Sequence, residues 1–354
     1  MSTGSVEVAL VGDVYVQRPD PDSTFDYARQ YLKSADIVFG NLETVVADPE
    51  HLDGGGHGPR TDEWMLDAYV RAGFNVLNLA NNPGMYRGMK GLLRTIEVLD
   101  KAGIAHGGGG RDLEEARRAA VVERKGTKVA FVCRTSVCTV DAPATPKRGG
   151  LAVVKVATAY EAPSPLPKIV PGSPPIIHTV PDPEDVAAMQ EDVERARQQA
   201  DVVIVSWHWG VSPYSGGKGE LVGYQTKMAY AAVDAGADLV VGHHPHLIQP
   251  IEVYKGKAIF YSLANFVHDG PSFWGKEQQT ILARCKIRDG EVGEVSFVPG
   301  RINQQNQPVL LKPAEIPELV REIQKNSSSC GTSFDVGQEE VVIRLKSNNS
   351  VKAS

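Results

Sequence analysis

The chain has 354 residues, of which 42% are hydrophobic and 23% are charged, and its formal net charge at pH 7 is −6. This composition is typical of a folded globular protein and excludes collagen-like, coiled-coil and disordered chains. Because the net charge is negative, no overall field attracts nucleic acid or an anionic membrane surface, so we expect no nucleic-acid partner.

The start of the chain and its hydropathy predict a cytoplasmic protein. The first strand-like run begins at Val6, which leaves no room for the charged and apolar regions of a secretory signal. No apolar stretch approaches the ~20 residues that a membrane span requires. The four cysteines form no Cys-x-x-Cys pair, so neither a disulfide framework nor a thiolate zinc site is predicted.

Short β-branched runs alternate with amphipathic stretches along most of the chain. In chain order, the pattern predicts strands at 6–11, 37–39, 76–79, 128–133, 202–206 and 239–241. It predicts helices at 25–33, 64–71, 88–101, 186–199 and 224–235. Strands that alternate with helices in this way are typical of an α/β fold with at least partly parallel strands.

Other segments depart from this alternation. Residues 157–183 contain eight prolines; since proline donates no backbone hydrogen bond, we predict a loop there, either a linker between two halves or a lid over a substrate. Hairpins are predicted at 251–261 and 281–297, and a last strand at 339–345. Residues 326–329 and 346–354 are predicted to be solvated or frayed.

Polar side chains follow six of the predicted strands, at the points where those strands end. Open α/β sheets bind ligands in the crevice beyond the carboxyl ends of their strands, so we expect these side chains to meet at one rim. They are Asp13, Glu43, Asn82, His208, the run His243-His244-Pro245-His246, and Asn265.

This set of side chains predicts a metal site. Three of the nine histidines lie within residues 243–246. Imidazole suits zinc, iron and nickel, whereas carboxylate and amide oxygens suit manganese, magnesium and calcium. Two divalent ions ~3.5–4 Å apart can lower the pKa of a bridging water and clamp an attacked phosphoryl or carbonyl group. The predicted ligands of two such ions, whether Mn, Zn, Fe or Ca, are Asp13, Glu43, Asn82, His208, His244 and His246.

Most of these residues also have a purely structural interpretation. Asp13 would then cap a turn, Glu43 would be a solvated loop carboxylate, and Asn82 would be a turn residue before a proline. His208, between two tryptophans, would be a core histidine. His244 and His246 form the strongest pair, because the intervening proline stiffens the backbone and sends both rings to one side.

The motifs, taken in order, resemble those of the capsule-biosynthesis A proteins, also called poly-γ-glutamate synthesis accessory proteins. The resemblance implies a calcineurin-like metallophosphatase fold, a four-layer αββα sandwich over residues 1–270 that residues 271–354 complete. It also implies metal-binding roles for the same six predicted ligands. The matching motifs are Gly12-Asp13, Asn41-Leu42-Glu43-Thr44, Asn78-Leu79-Ala80-Asn81-Asn82, Ser206-Trp207-His208-Trp209-Gly210, Gly236-Ala237-Asp238-Leu239-Val240-Val241-Gly242-His243-His244-Pro245-His246, and Tyr261-Ser262-Leu263-Ala264-Asn265-Phe266.

The chain departs from the family pattern at three positions. Pro83 stands where the family has the histidine of Asn-Asn-His, Ser212 replaces an acidic residue, and Ala264 replaces a glycine. In related phosphoesterases that histidine protonates or stabilises charge beside the metals, and proline cannot donate a proton. Either the chemistry differs from phosphate-ester hydrolysis, or another histidine (His243, His106 or His57) takes over the role, or catalysis has been lost.

The resemblance implies a soluble metal-dependent enzyme that acts on an amide, peptide or γ-glutamyl-type carboxylate substrate. Catalytic roles are predicted for His243 and His106. The residues predicted to bind the substrate are Arg60, Tyr214, Lys218 and Asn265. Two alternatives stay open: a non-catalytic accessory protein of an amide-ligase or polymer-export assembly, and a metallophosphoesterase, which Pro83 disfavours. The oligomeric state is open, and a homo-oligomer is compatible with the sequence.

Overall fold

Two large β-sheets form the centre of the protein in a computed structural model, which describes residues 4–52, 57–161 and 174–345. The strands are β1 (Val6–Tyr15), β2 (Ile37–Leu42), β3 (Val45–Val46), β4 (Arg60–Thr61), β5 (Val76–Asn78), β6 (Ala105–Gly107), β7 (Gly109–Gly110), β8 (Ala120–Arg124), β9 (Thr127–Thr135), β10 (Gly150–Leu151), β11 (Val156–Glu161), β12 (Ile176–Pro181), β13 (Val202–His208), β14 (Leu239–His243), β15 (Ile251–Tyr254), β16 (Lys257–Phe260), β17 (Asn265–His268), β18 (Gln278–Arg288), β19 (Glu291–Ile302), β20 (Pro308–Leu310), β21 (Phe334–Val336) and β22 (Val341–Ile343). The α-helices are α1 (Arg29–Lys33), α2 (Leu66–Ala72), α3 (Gly88–Ala102), α4 (Leu113–Arg117), α5 (Pro183–Arg197), α6 (Gly223–Asp234) and α7 (Pro317–Ser327).

The first sheet has the strand order β21-β22-β19-β18-β1-β2-β5-β6. Strands β1, β2, β5 and β6 are parallel, and α1, α2 and α3 connect each of them to the next. Strand β17 also pairs parallel with β1, whereas β18 pairs antiparallel with β1. The strands after residue 270 therefore extend the first sheet.

The second sheet has the strand order β15-β16-β14-β13-β9-β8. Strands β9, β13, β14 and β16 are parallel, and helices α5 and α6 precede β13 and β14 along the chain. The predicted α/β fold with parallel strands is confirmed.

Both faces of the central strands are buried, which explains their nearly continuous apolar sequences. Alternate residues of a strand face opposite sides of its sheet, so in β1 Leu10 packs between the sheets and Val11 packs on the outer face. Between the sheets, Phe39 of β2 stacks on Phe131 of β9 with ring centroids 5.0 Å apart. Helices α1 to α3 pack on the outer face of the first sheet, and α5 and α6 pack on the outer face of the second.

The prediction of a loop over residues 157–183 is wrong at both ends of that segment. Strands β11 and β12 form a two-stranded antiparallel hairpin there, and Thr158 lies opposite Thr179. Most prolines of the segment lie between these strands, so they do not interrupt the pairing, and Pro181 occupies the last position of β12. Residues 162–173, the centre of the predicted loop, lie outside the described residues.

The prediction that residues 326–329 are solvated or frayed is wrong at Ser327, while the other three residues are exposed. Helix α7 continues to Ser327, whose buried hydroxyl accepts a hydrogen bond from the Ile251 backbone N–H at 2.9 Å. The predicted last strand is present as β22, and the predicted tail 346–354 lies outside the described residues.

Among the helices that the structure describes, none combines the length and apolarity needed to cross a membrane.

Candidate metal centre

Asp13 is held at an irregularity in the middle of the first sheet. Strand β1 continues past the predicted end at Val11, and its pairing with β2 and β17 shifts register around Asp13. A Cβ atom on Gly12 would lie 1.8 Å from the Ala264 carbonyl oxygen, so only glycine permits this approach. The Asp13 N–H donates to the same carbonyl at 3.0 Å. The chain before β17 therefore fixes the position of the Asp13 carboxylate.

A buried amide network orients Asp13 from the other side. The Asn41 amide nitrogen donates to Asp13 Oδ1 at 2.7 Å and lies 3.2 Å from Nδ1 of His208. The Asn41 amide oxygen accepts hydrogen bonds from Asn78 and Asn81 at 2.8 and 3.0 Å. Asn41 thus links the ends of β1, β2, β5 and β13. The sequence placed Asn41 in a motif but assigned it no role of its own.

His208 ends β13 and faces two of the other predicted ligands. Its Nε2 lies 2.6 Å from the Asn82 amide oxygen and 3.7 Å from Glu43 Oε1. Asn82 begins a short 3₁₀ helix, which the Asn81 side chain caps by accepting from the Gly84 N–H. This turn holds the Asn82 side chain toward His208.

His244 and His246 are presented by a strained turn after β14. Their φ angles are 92° and 58°, the left-handed region that non-glycine residues rarely adopt and that is often retained at functional sites. Their ring centroids are 5.8 Å apart. Nδ1 of His246 lies 3.3 Å from Asp13 Oδ2, 3.8 Å from Glu43 Oε2 and 2.8 Å from the Asn265 amide oxygen. This turn therefore brings His246 to ligand atoms from β1, β17 and the segment after β2.

His243, one of the two predicted catalytic residues, lies below this turn in the space between the sheets. Its ring is fully buried, packs against Phe39, and approaches Asp13 Oδ1 to 3.8 Å. Neither of its ring nitrogens has a hydrogen-bond partner among the described residues. His243 therefore lies beside Asp13 with its ring shielded from solvent.

The donor atoms converge into two overlapping groups that can each hold a metal ion. Asp13, Glu43 and His208 form one group, and Glu43, His244 and His246 form the other, with the donor atoms of each group within 4.8 Å of one another. Within the described part of the chain, Glu43 Oε2 and His244 Nδ1 are buried without hydrogen-bond partners. Buried polar atoms without partners are costly, so the cluster fits a cation that they would bind.

The two carboxylates of the cluster have opposite pKa shifts. Burial raises the pKa of Glu43 well above its ordinary value, and the negative charge of Asp13 raises it further. Burial also acts to raise the pKa of Asp13, but the hydrogen bond to His246 and the charge on that ring outweigh burial and hold it well below its ordinary value. Burial acts to lower the pKa of His246, but the Glu43 and Asp13 carboxylates raise it to about 9. The cluster thus carries protons that a cation would displace.

The other histidines are kept neutral by burial. Burial lowers the pKa of His243 and of His244 to about 4, and it lowers the pKa of His208 well below its ordinary value. A neutral imidazole is the form that binds a metal ion.

One histidine of the cluster, His268 at the end of β17, was not predicted from the sequence. Its Nε2 lies 3.8 Å from Glu43 Oε2, and its ring centroid lies 5.6 Å from that of His246. Burial, assisted by the charge on His246, lowers its pKa to about 3. Its Nδ1 accepts a hydrogen bond from the Gly270 N–H at 3.1 Å, so the proton of the neutral ring is on Nε2. The sequence offered one signal for His268, its position three residues after the predicted site residue Asn265.

Aromatic side chains border the open side of the cluster. Phe273 packs on His246 and His268 with ring centroids 4.8 and 4.4 Å away. Tyr214, predicted to bind substrate, is 58% exposed and lies 6.1 Å from the His246 ring, edge to face. Tyr214 therefore stands at the entrance to the cluster, while Asn265, also predicted to bind substrate, lies inside it.

Other predicted residues lie outside the cluster. The His106 Nε2 is 3.0 Å from the Asp100 carboxylate of α3, at the edge of the first sheet, and His57 is exposed. Arg60 pairs with Asp62. Lys218 lines a separate cleft beside β11 and β12.

A third group of potential ligands, Asp48, His51 and Glu63, lies on the surface. Two guanidinium nitrogens of Arg94 donate to the two Glu63 carboxylate oxygens, each at 2.7 Å. The hydrogen bond from Arg94 lowers the pKa of Glu63 to about 2. An arginine thus already neutralises this carboxylate, and the group is an ion-pair network.

Comparison with known proteins explains the order of these motifs. A family model described as bacterial capsule synthesis protein PGA_cap matches residues 7–270. The chain belongs to the PGA_cap family. The resemblance inferred from the motifs is therefore confirmed.

Several PGA_cap relatives match over most of the chain. It is 28% identical to the PGA biosynthesis protein CapA of Bacillus subtilis, over 91% of this chain and 79% of the relative. It is 28% identical to the capsule biosynthesis protein CapA of Bacillus anthracis, over 98% and 79%. It is 32% identical to a probable polyglutamine synthesis accessory protein of Mycobacterium tuberculosis, over 69% and 58%. The likeness to GAP50, the anchor in the inner membrane complex of Plasmodium, has a TM-score of 0.32 and 12% identity over 86% of each chain, which is too low to establish a shared fold.

Proposed function

We propose that this PGA_cap protein is a metal-dependent hydrolase of amide bonds in peptide or γ-glutamyl-type substrates that carry carboxylates. The observation that supports this proposal most is that Glu43 belongs to both ligand groups of one buried cluster. Two divalent cations held in this way would supply Lewis acidity and an activated water. Manganese, zinc, iron and calcium all suit a donor set of imidazole, carboxylate and amide oxygen.

Each side chain of the cluster then has a distinct task. Glu43 would help to hold both cations, because it belongs to both ligand groups. Asp13, Asn82 and His208 would hold one of them, and His244 and His246 the other. The amide oxygen of Asn265, 2.8 Å from His246 Nδ1, is placed to complete the second set, so we assign Asn265 to metal binding in place of its predicted role with substrate.

His268 would perform the task of the histidine that Pro83 replaces. With Nδ1 occupied by the Gly270 N–H, the Nε2–H group faces the cluster near Glu43. It is therefore placed to donate a hydrogen bond to an oxygen that gains charge during the reaction. His243, by contrast, has no nitrogen fixed by a hydrogen bond to the described residues, and its ring is fully buried.

The calcineurin-like four-layer sandwich is part of this proposal. It is supported by one core between the two sheets and by helices packed on the outer face of each sheet. In that arrangement the ligands lie beyond the carboxyl ends of parallel strands in both sheets, where α/β folds bind their ligands.

The amide substrate is supported by the names of the relatives, which refer to PGA biosynthesis, capsule biosynthesis and polyglutamine synthesis. Because His268 would supply the histidine that Pro83 replaces, the phosphoesterase alternative is separated from the amide proposal by the assay below and not by Pro83.

The experiment is a reconstitution assay. Protein stripped with a chelator is reloaded separately with Mn, Zn, Fe or Ca and offered γ-glutamyl-p-nitroanilide, p-nitrophenyl acetate and p-nitrophenyl phosphate. We expect metal-dependent release of nitroaniline that His246→Ala abolishes. His178→Ala, which removes an exposed histidine paired with Glu161, is the matched control and should retain activity. Turnover of the phosphate alone would contradict the amide proposal.

A non-catalytic accessory protein is the second candidate. Pro83 supports it, as does the name of the Mycobacterium tuberculosis relative. This alternative predicts a metal-loaded protein with no turnover of any of the three compounds, together with co-purification with an amide ligase.

A further inference from the structure

A cleft of about 890 Å³ lies between the β11–β12 hairpin and the segment from Gly216 to Tyr224. Its size is within the range of small-molecule binding sites. None of the metal-ligand candidates lines it among the described residues, so it is a separate compartment of the molecule.

One face of the hairpin forms a wall of this cleft. Residues at alternate positions of a strand share a face, and the lining residues follow that rule: Thr158 and Tyr160 in β11 lie opposite Thr179 and Ile177 in β12. Tyr160 and Ile177 are 71% and 59% exposed. The wall therefore offers hydroxyl groups and uncovered apolar surface.

One wall of the cleft is hydrogen-bonded to the backbone of a metal-ligand candidate. Ser136, which lines the cleft, donates its backbone N–H to the His208 carbonyl at 3.0 Å. Its hydroxyl lies 2.9 Å from the Tyr224 hydroxyl, which also accepts from the Gly210 N–H at 2.6 Å. A chain lying in the cleft would thus begin beside the backbone of a metal-ligand candidate.

The charge of the cleft restricts its ligand. Among the described residues that line it, the charged side chains are one lysine and one glutamate, Lys218 and Glu220, whose charges cancel. Glu161 and His178 of the hairpin, whose side chains pair with each other, are not part of the lining. A polyglutamate chain would bring a carboxylate with every residue against a single lysine, and unpaired charges are costly to remove from water.

We infer that this cleft binds an uncharged, peptide-like segment of the substrate next to the amide bond that is cleaved. The threonine and serine hydroxyls would pair with its amide groups, and Tyr160 and Ile177 would cover its apolar side chains. This inference rests on the proposed function, because it takes the ligand of the cleft to be part of the substrate. It gives the site a preference for a neutral chain over a polyglutamate chain; one relative is named for PGA biosynthesis and another for polyglutamine synthesis.

Binding is tested on chelator-stripped protein, so that the result is independent of metal and of catalysis. The probes are dansyl-labelled pentaalanine amide and dansyl-labelled γ-linked pentaglutamate, and fluorescence anisotropy gives the Kd of each. We expect pentaalanine amide to bind at least tenfold more tightly. Equal affinities, tighter binding of pentaglutamate, or no binding of either probe would overturn the inference while leaving the reconstitution assay unaffected.

Two substitutions in β12 test whether pentaalanine amide binds in the cleft. Ile177→Glu places a carboxylate on the cleft face, whereas Val180→Glu, the matched control, places one at a position that is 54% exposed and does not line the cleft. We expect Ile177→Glu to weaken pentaalanine binding at least tenfold and Val180→Glu to leave it within twofold. Both residues are exposed, so circular dichroism should show an unchanged fold. Equal effects of the two substitutions would contradict the assignment.

Discussion

Among the histidines of the metal centre, His268 is distinguished by the backbone N–H that occupies its Nδ1. We expect His268→Phe to lower kcat about 10²–10³-fold with metal content unchanged, because a donor to a developing charge is lost and no ligand is removed. His268→Gln, which keeps an N–H donor, should restore part of the rate. Elemental analysis of both variants provides the second measurement, and loss of bound metal in both would show that His268 is a ligand instead.

Ala264 adopts a φ angle of 64° at the position where the family has glycine. A non-glycine residue in this region carries ~1–3 kcal/mol of strain. We therefore expect Ala264→Gly to keep or raise the free energy of unfolding, measured by urea denaturation. The control is Ala283→Gly in the interior of β18, which should lower it by about 0.5–1 kcal/mol. Equal losses in both variants would mean that Ala264 is unstrained.

At the level of single residues, the candidate ligands that the sequence predicted directly follow recognisable strands. Asp13, Glu43, His208, His244 and His246 all come together in the structure. His268 and the coupling role of Asn41 were not predicted, because both depend on how β17 and β2 lie beside β1, which is a long-range relation absent from local periodicity.

Among the elements, helix α7 is tied to the second sheet by the hydrogen bond from Ile251 to the Ser327 hydroxyl. We expect Ser327→Ala to lower the free energy of unfolding by ~1–3 kcal/mol, because it leaves a buried backbone donor without a partner. Ser328→Ala, which changes an exposed hydroxyl, should shift it by less than ~0.5 kcal/mol. Chemical denaturation followed by fluorescence measures both, and a similar small change in each would contradict the structural role of Ser327.

Strands β9, β13 and β14 could be predicted from the sequence. Because both of their faces are buried, each has a nearly continuous run of apolar residues. The hairpin β11–β12 was not, because the prolines between its strands dominated the pattern and most positions of both strands are exposed. Helix α7 was missed because it follows the region where recognisable motifs end.

For the whole molecule, the buried histidines link stability to pH in the metal-free protein. The pKa values of His243, His244 and His268 are lowered to about 4, 4 and 3. Their contributions to the free energy of unfolding are therefore present above the ordinary value of 6.5 and are lost as pH falls through these lowered pKa values. The pKa of His246 is raised to about 9, so its contribution to the free energy of unfolding is present below pH 6.5 and is lost as pH rises through 9. The pKa of His208 is also lowered, so four lowered pKa values against one raised value predict that the free energy of unfolding falls in acid.

The measurement is the Tm of chelator-stripped protein between pH 7 and pH 4. We expect Tm to fall across this range, and to fall less steeply in His268→Phe, which removes one of the titrating rings. A Tm that stays constant across the range in the unaltered protein would show that these histidines are not kept neutral by burial.

Elemental analysis of the purified protein tests most directly whether the buried cluster binds metal. We predict two divalent cations per chain after reconstitution, the loss of at least one in Glu43→Gln, and full retention in Glu63→Gln, which alters the surface group paired with Arg94. An unaltered chain that binds no divalent cation, or a Glu43→Gln variant that keeps both, would contradict a metal centre built around Glu43.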